Sequence, residues 1–125
     1  MTSEMPTRLW VYRAKLERII DGDSLVTVID AGFGVHIGRG NEGAHLRLIG
    51  VDTPERNEPG WKEARDFTEY WIPISSIHRA WPLRIETERA DSFGRYLAVV
   101  YNASTGECLN DALLEAGHAI RWERK

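Results

Sequence analysis

A small, closed or nearly closed β-barrel with flanking helices is the fold class this sequence predicts. Three observations point to it. Apolar residues with a two-residue period recur in short runs along a chain of 125 residues. Glycine, asparagine and aspartate clusters separate those runs at hairpin spacing. Only two stretches carry apolar residues at helical spacing.

From Trp10 to Glu17 the chain alternates. Trp10, Tyr12, Ala14 and Leu16 fall on one side, with Arg13, Lys15 and Glu17 on the other, as in a half-buried strand. Asp21-Gly22 is a tight hairpin signal. Ser24 to Ile29 is a β-branched run and a second strand. Gly32 and Gly34 mark a turn or bulge, and Val35 to Ile37 is a short strand. Gly38 to Gly43 is a polar, glycine-rich loop. Ala44 to Val51 reads as one strand, with Arg47, Ile49 and Val51 on the same face.

Pro54 and Pro59 bound an irregular stretch. A helix is predicted from about Gly60 to Trp71, ending before Pro73, with Trp61, Ala64, Phe67 and Trp71 on one side. Leu83, Ile85 and Thr87 alternate with Arg84, Glu86 and Glu88 in another strand. Asp91 to Gly94 turns the chain into the apolar strand Tyr96 to Tyr101. Leu109, Ala112, Leu113 and Ala116 stand at i, i+3, i+4 and i+7, an amphipathic helix that Gly117 stops. Ala119 to Trp122 adds a short terminal strand. The economical fold at this length is mainly β with helices (α+β): a five-stranded OB-fold barrel with two to three flanking α-helices. Periodicity does not separate it from other small β-rich folds.

Residues 1–9 read as a polar tail and 10–125 as one domain, long enough to bury a core without staples. Cys108 is the only cysteine, which excludes an internal disulfide and a cysteine-rich metal site. Met1 to Arg8 holds no apolar leader, and no run approaches bilayer length. The expectation is a cytoplasmic protein with no membrane partner and no evident obligate protein partner. The net charge is -3. Strong non-specific nucleic-acid binders carry a basic surplus. A nucleic-acid enzyme of this composition must therefore concentrate its arginines locally or grip its substrate loosely. A bound cation would help by inverting the local field.

Three charged blocks stand out. Arg47-Leu48-Ile49-Gly50-Val51-Asp52-Thr53-Pro54-Glu55 places a cation on an apolar run and two acids on the turn after it. Asp21-Gly22-Asp23-Ser24 lies upstream and Asp91-Ser92-Phe93-Gly94-Arg95 downstream. Taken singly, each is an ordinary turn or a solvated strand residue. Together they suit an enzyme that binds a metal beside a phosphate and attacks phosphorus.

These blocks, in this order, resemble the staphylococcal nuclease (thermonuclease) family. Leu109-Asn110-Asp111-Ala112-Leu113-Leu114 with Gly117 resembles its closing helix, so the likeness runs from about Leu16 to Ile120. The resemblance implies an OB-fold enzyme that cleaves DNA and RNA with Ca²⁺ and leaves 3′-phosphate ends. It implies Asp23 and Asp52 as carboxylate ligands and the Thr53 carbonyl as a further donor. Such hard oxygens suit Ca²⁺, with Mg²⁺ the second candidate. Glu55 is the candidate water activator. Arg47 and Arg95 match the spread charge of a phosphoryl transition state, which guanidinium groups grip bidentately.

Ser92, Phe93 and Arg56 are candidate substrate contacts. The family's well-known member has a lysine and a tyrosine at the positions of Ser92 and Phe93, so the grip on a terminal phosphate is expected to differ. The tyrosines after that member's last helix have no counterpart; Glu123 and Arg124 occupy the region. Trp61, Trp71, Trp81 and Trp122 are candidates to stack on bases, with helix and strand packing the expected role for most of them. His36, His45, His78 and His118 lack ligand spacing and are read as structural or surface residues. The rival expectation is a catalytically silent OB module that binds nucleic acid or a protein partner.

Overall fold

The computed structural model describes residues 10–38, 43–73, 81–90 and 95–122. Its elements run β1 (Trp10–Asp21), β2 (Ser24–Asp30), β3 (His36–Ile37), β4 (Ala44–Leu48), β5 (Val51–Asp52), α1 (Trp61–Trp71), β6 (Leu83–Ala90), β7 (Tyr96–Asn102), α2 (Leu109–Glu115) and β8 (Ile120–Arg121). The main sheet has the order β1-β6-β7-β4-β2-β3, and a further β1–β2 pairing closes five of these strands into a barrel. All of the named pairings are antiparallel except β4–β7, which is parallel. This is the mixed barrel of an OB-fold.

The core fills from alternate strand positions. Ala14, Leu25, Leu46, Leu48, Ile85, Ala98 and Val100 point inward, and Leu109 and Leu113 of α2 close the barrel over them. β1 outruns its predicted end because it is bulged. Glu17 is the extra residue between Leu16, opposite Thr27, and Arg18, opposite Val26. The bulge resets the alternation, so Ile19 joins Ala14 in the core.

The run from Ala44 to Val51 is two strands rather than one. Gly50 takes φ 77°, and the chain turns at Ile49–Gly50 before β5 begins. The turn ends the predicted alternation. Val51 is buried in the core, while Arg47 projects from the opposite face of β4. β5 pairs with β8 in a separate two-stranded ribbon.

Helix α1 docks on the β1–β2 hairpin. A Cβ on Gly22 would lie 3.1 Å from three atoms of Ala64, so only glycine lets the helix approach this closely. The Thr68 hydroxyl donates to the Gly22 carbonyl at 2.7 Å, and the Trp61 indole N–H donates to Asp21 Oδ1 at 2.7 Å. Sequence periodicity assigned Trp61 to helix packing; its polar edge also fixes the residue that opens the hairpin. No helix among the described residues is long and apolar enough to cross a membrane.

Candidate active site

The β1–β2 hairpin, the end of β4 and the start of the loop after β5 meet at one edge of the barrel. Ser24 pairs with Arg47 across β2–β4, and the Leu48 amide donates to the Asp23 carbonyl at 2.9 Å. Backbone pairing therefore brings the turn acid beside the strand cation, although 23 and 47 are far apart in sequence. The Asp23 side chain is nearly sealed from solvent. Its Oδ2 accepts the Thr53 amide at 3.0 Å and lies 3.1 Å from Arg47 Nη1. Ser24 Oγ is 3.4 Å from Oδ1.

Arg47 is held by four oxygens. Nη1 donates to the carbonyls of Leu48 at 3.0 Å and Val51 at 2.9 Å. Nη2 lies 3.4 Å from Asp52 Oδ1. The guanidinium thus bridges Asp23 and Asp52 and neutralises acids that would repel each other. The Gly50 turn makes this possible, because it folds the Val51 carbonyl back toward the head of Arg47.

Burial pushes the Asp23 carboxyl above its ordinary value of 3.8. Arg47 and the Thr53 amide pull it back only in part, and Asp21 and Asp52 add to the rise. The native state therefore binds this proton more tightly than the unfolded chain does. The contribution of Asp23 to stability is greatest below pH 3.8 and declines as pH rises through the raised native value. Subtracting the urea-stability profile of Asp23→Asn from that of the unaltered chain should give a difference that falls with rising pH across this window. A difference that rises there contradicts the assignment.

These residues could hold a hard divalent cation. Asp23, Asp52 and the Thr53 carbonyl supply oxygen donors only, and a cation would favour the charged form that burial of Asp23 opposes. Thr53 Oγ1 is buried without a hydrogen-bond partner among the described residues. Among those residues no group of three or more His, Cys, Asp or Glu is placed to hold a metal ion. Solvent and substrate oxygens would have to complete the shell. Beside the acids opens a cleft of about 310 Å³, whose lining includes Asp52, Thr53, Glu58 and His118.

The other predicted site residues lie around this centre. Glu55 is exposed on the turn after Asp52. Its amide donates to Glu58 Oε1 at 2.6 Å, and its carbonyl accepts the Glu58 amide at 2.9 Å. Arg56 is exposed next to it, with Cζ 5.9 Å from the Trp61 ring centre. Arg95 is half-buried at the start of β7. Leu97 pairs with Arg47 across β4–β7, so alternation assigns Arg95 to the side of the strand pair that carries Arg47. Ser92 and Phe93 fall outside the described residues, as do His78, Glu123 and Arg124.

Two residues of the site were not assigned to it from sequence. Asn110 is buried, accepting the Val100 amide at 3.1 Å and donating to the carbonyls of Ile49 at 2.9 Å and Ala98 at 3.2 Å. It ties α2 to the turn that follows Arg47. A polar residue between apolar helix positions was its only signal. Trp122 stands over Arg47, with the ring centre 5.7 Å from the guanidinium carbon. By contrast, His36 packs edge-on against Trp81 and His118 against Phe67, which are packing roles.

The chain is thus an OB-fold protein with a buried acid, a second acid and a guanidinium gathered at the β1–β2 edge of the barrel. Comparison with known proteins narrows the class. Residues 45–125 match the model of the staphylococcal nuclease homologue family. The chain is 31% identical over 111 residues to a thermonuclease of Staphylococcus hyicus, covering 84% of this chain and 56% of that protein. It is 30% identical over 92 residues to a thermonuclease of Staphylococcus intermedius, covering 69% and 46%. The chain belongs to the staphylococcal nuclease family. It spans about half the length of these curated relatives.

Proposed function

We propose that this chain is a Ca²⁺-dependent phosphodiesterase that cuts DNA and RNA with little sequence preference and leaves 3′-phosphate ends. The observation that carries the reading is the Arg47 guanidinium set between Asp23 and Asp52 beside a buried threonine. Family membership and the thermonuclease relatives support it. Asp23, Asp52 and the Thr53 carbonyl would hold the cation. Bound there, it supplies charge stabilisation at the phosphate.

Glu55 accepts or orients the proton of the attacking water. Its exposed position on a turn leaves the carboxylate room to meet that water as substrate binds. Arg47 and Arg95 draw negative charge on the equatorial oxygens of the pentacoordinate phosphorus, and the 5′ oxygen leaves. Arg56 is a candidate contact to the flanking backbone.

The test is plasmid nicking with Ca²⁺, with and without a chelator, and with Mg²⁺ in its place. Chelation should abolish cutting. Glu55→Gln and Arg95→Ala should each lower the rate by about a hundred-fold or more while the far-UV spectrum stays unchanged. The alternative is a silent OB module that binds nucleic acid or a protein partner, a reading kept open by the net charge of -3. Binding without cutting, indifferent to both substitutions, would establish that alternative.

A further inference from the structure

We infer that Trp122 is a positioning residue that holds the Arg47 guanidinium in place, an assignment that deepens the phosphodiesterase reading and rests on it. The indole is anchored by the ribbon that carries an acid of the site. Val51 pairs with Arg121 and Asp52 with Ile120, and the Trp122 amide donates to the Gly50 carbonyl at 3.0 Å. The turn that folds the Val51 carbonyl onto Arg47 is therefore the turn that fixes the tryptophan. The residue is 42% exposed, so burial of its apolar surface alone does not account for its place.

The charge pattern around Arg47 gives this contact its purpose. Nη1 keeps two carbonyl acceptors whatever happens to the acids. Among the described residues, the acceptor of Nη2 is the distant, half-exposed Asp52 carboxylate, at 3.4 Å. Were the carboxylates to hold a cation, the outer half of the guanidinium would share that partner with it. The electron-rich face of the indole then restrains it. An arginine so restrained meets a phosphate without first being ordered, and that preorganisation speeds the chemical step rather than strengthening ground-state binding.

Two variants test this, Trp122→Leu and Trp122→Phe, with two readouts. In protein labelled with ¹⁵N-arginine, the Arg47 Nε–H signal, identified by its loss in Arg47→Lys, should be shifted upfield by the indole. It should move toward the free-arginine position in Trp122→Leu and much less in Trp122→Phe. In Ca²⁺-supported cleavage, Trp122→Leu should lower kcat about three- to ten-fold with KM within about two-fold, and Trp122→Phe should recover most of it. The factor should be equal on an oligonucleotide and on one whose residues flanking a single phosphodiester are abasic.

An Arg47 signal unmoved by Trp122→Leu overturns the assignment. So does a loss confined to KM on the base-bearing strand, which would make the indole a platform for bases. Failure of the unaltered chain to cut would sink the hydrolytic reading alone, because the arginine signal still decides whether the indole holds the guanidinium.

Discussion

Arg47→Ala should lower kcat/KM for a DNA oligonucleotide by about a hundred- to thousand-fold in Ca²⁺, the effect typical of losing one preorganised donor to a transition-state oxyanion. The loss should fall mainly on kcat, because charge on the phosphoryl oxygens grows on the way to the transition state. Arg47→Lys should recover little. One ammonium does not reproduce a planar fork that reaches two carbonyls and a carboxylate at once. Removal should also destabilise the fold without metal, since Asp23 is buried and would lose its nearest positive charge. Ca²⁺ should return part of that stability by supplying a charge in its place. Steady-state kinetics and thermal unfolding with and without Ca²⁺ check both halves. A variant that cuts at more than a tenth of the normal rate would remove Arg47 from the chemistry.

Asn110→Ala is expected to be the most damaging single change to stability away from the apolar core. The side chain is the partner of the Val100 amide and the Ile49 carbonyl, and it shares the Ala98 carbonyl with the Ile49 amide. Val100 and Ala98 are fully buried. Truncation leaves one donor and one acceptor with no alternative on the strand, because β4 has ended at Leu48. Each such orphaned group costs about 1–3 kcal/mol, so a loss of about 2–6 kcal/mol is expected. That is a large part of the ~5–15 kcal/mol that keeps a domain folded. Asn110→Asp should not rescue it, since a carboxylate still accepts from Val100 but repels the Ile49 carbonyl. Urea unfolding measures this directly, with the midpoint lowered and the slope unchanged. A loss under about 1 kcal/mol would show that the bracket is dispensable.

These two residues mark the boundary of what could be read in advance. Arg47 was legible because its chemistry is local: a guanidinium on an apolar run, five residues before an acid and a proline turn. Asn110 was not, because its partners are backbone groups of two other segments, and backbone groups leave no trace in composition. The Thr68 bond was missed for the same reason, and the bond from Trp61 to the Asp21 side chain because its partner lies forty residues away.

The break at Gly50 escaped a periodic reading because glycine is compatible with a strand as well as with a turn. Only the demand that Val51 enter the core while its carbonyl reaches Arg47 selects the left-handed conformation. A short strand at Ala119 to Trp122 was legible, but not its pairing with β5, which sets Trp122 over Arg47.

Residue types and their spacing were enough for the barrel class, the two helices, the order of the charged blocks and the family they resemble. The strands and helices follow from periodic burial and turn chemistry, which act over a few residues at a time, and the family from the resemblance of the charged blocks. The meeting of Asp23 with Arg47, the folding of the Val51 carbonyl onto that guanidinium and the placing of an indole over it were decided by strand register and the closing helix. Such contacts join segments tens of residues apart, and their geometry exists only once the sheet has closed.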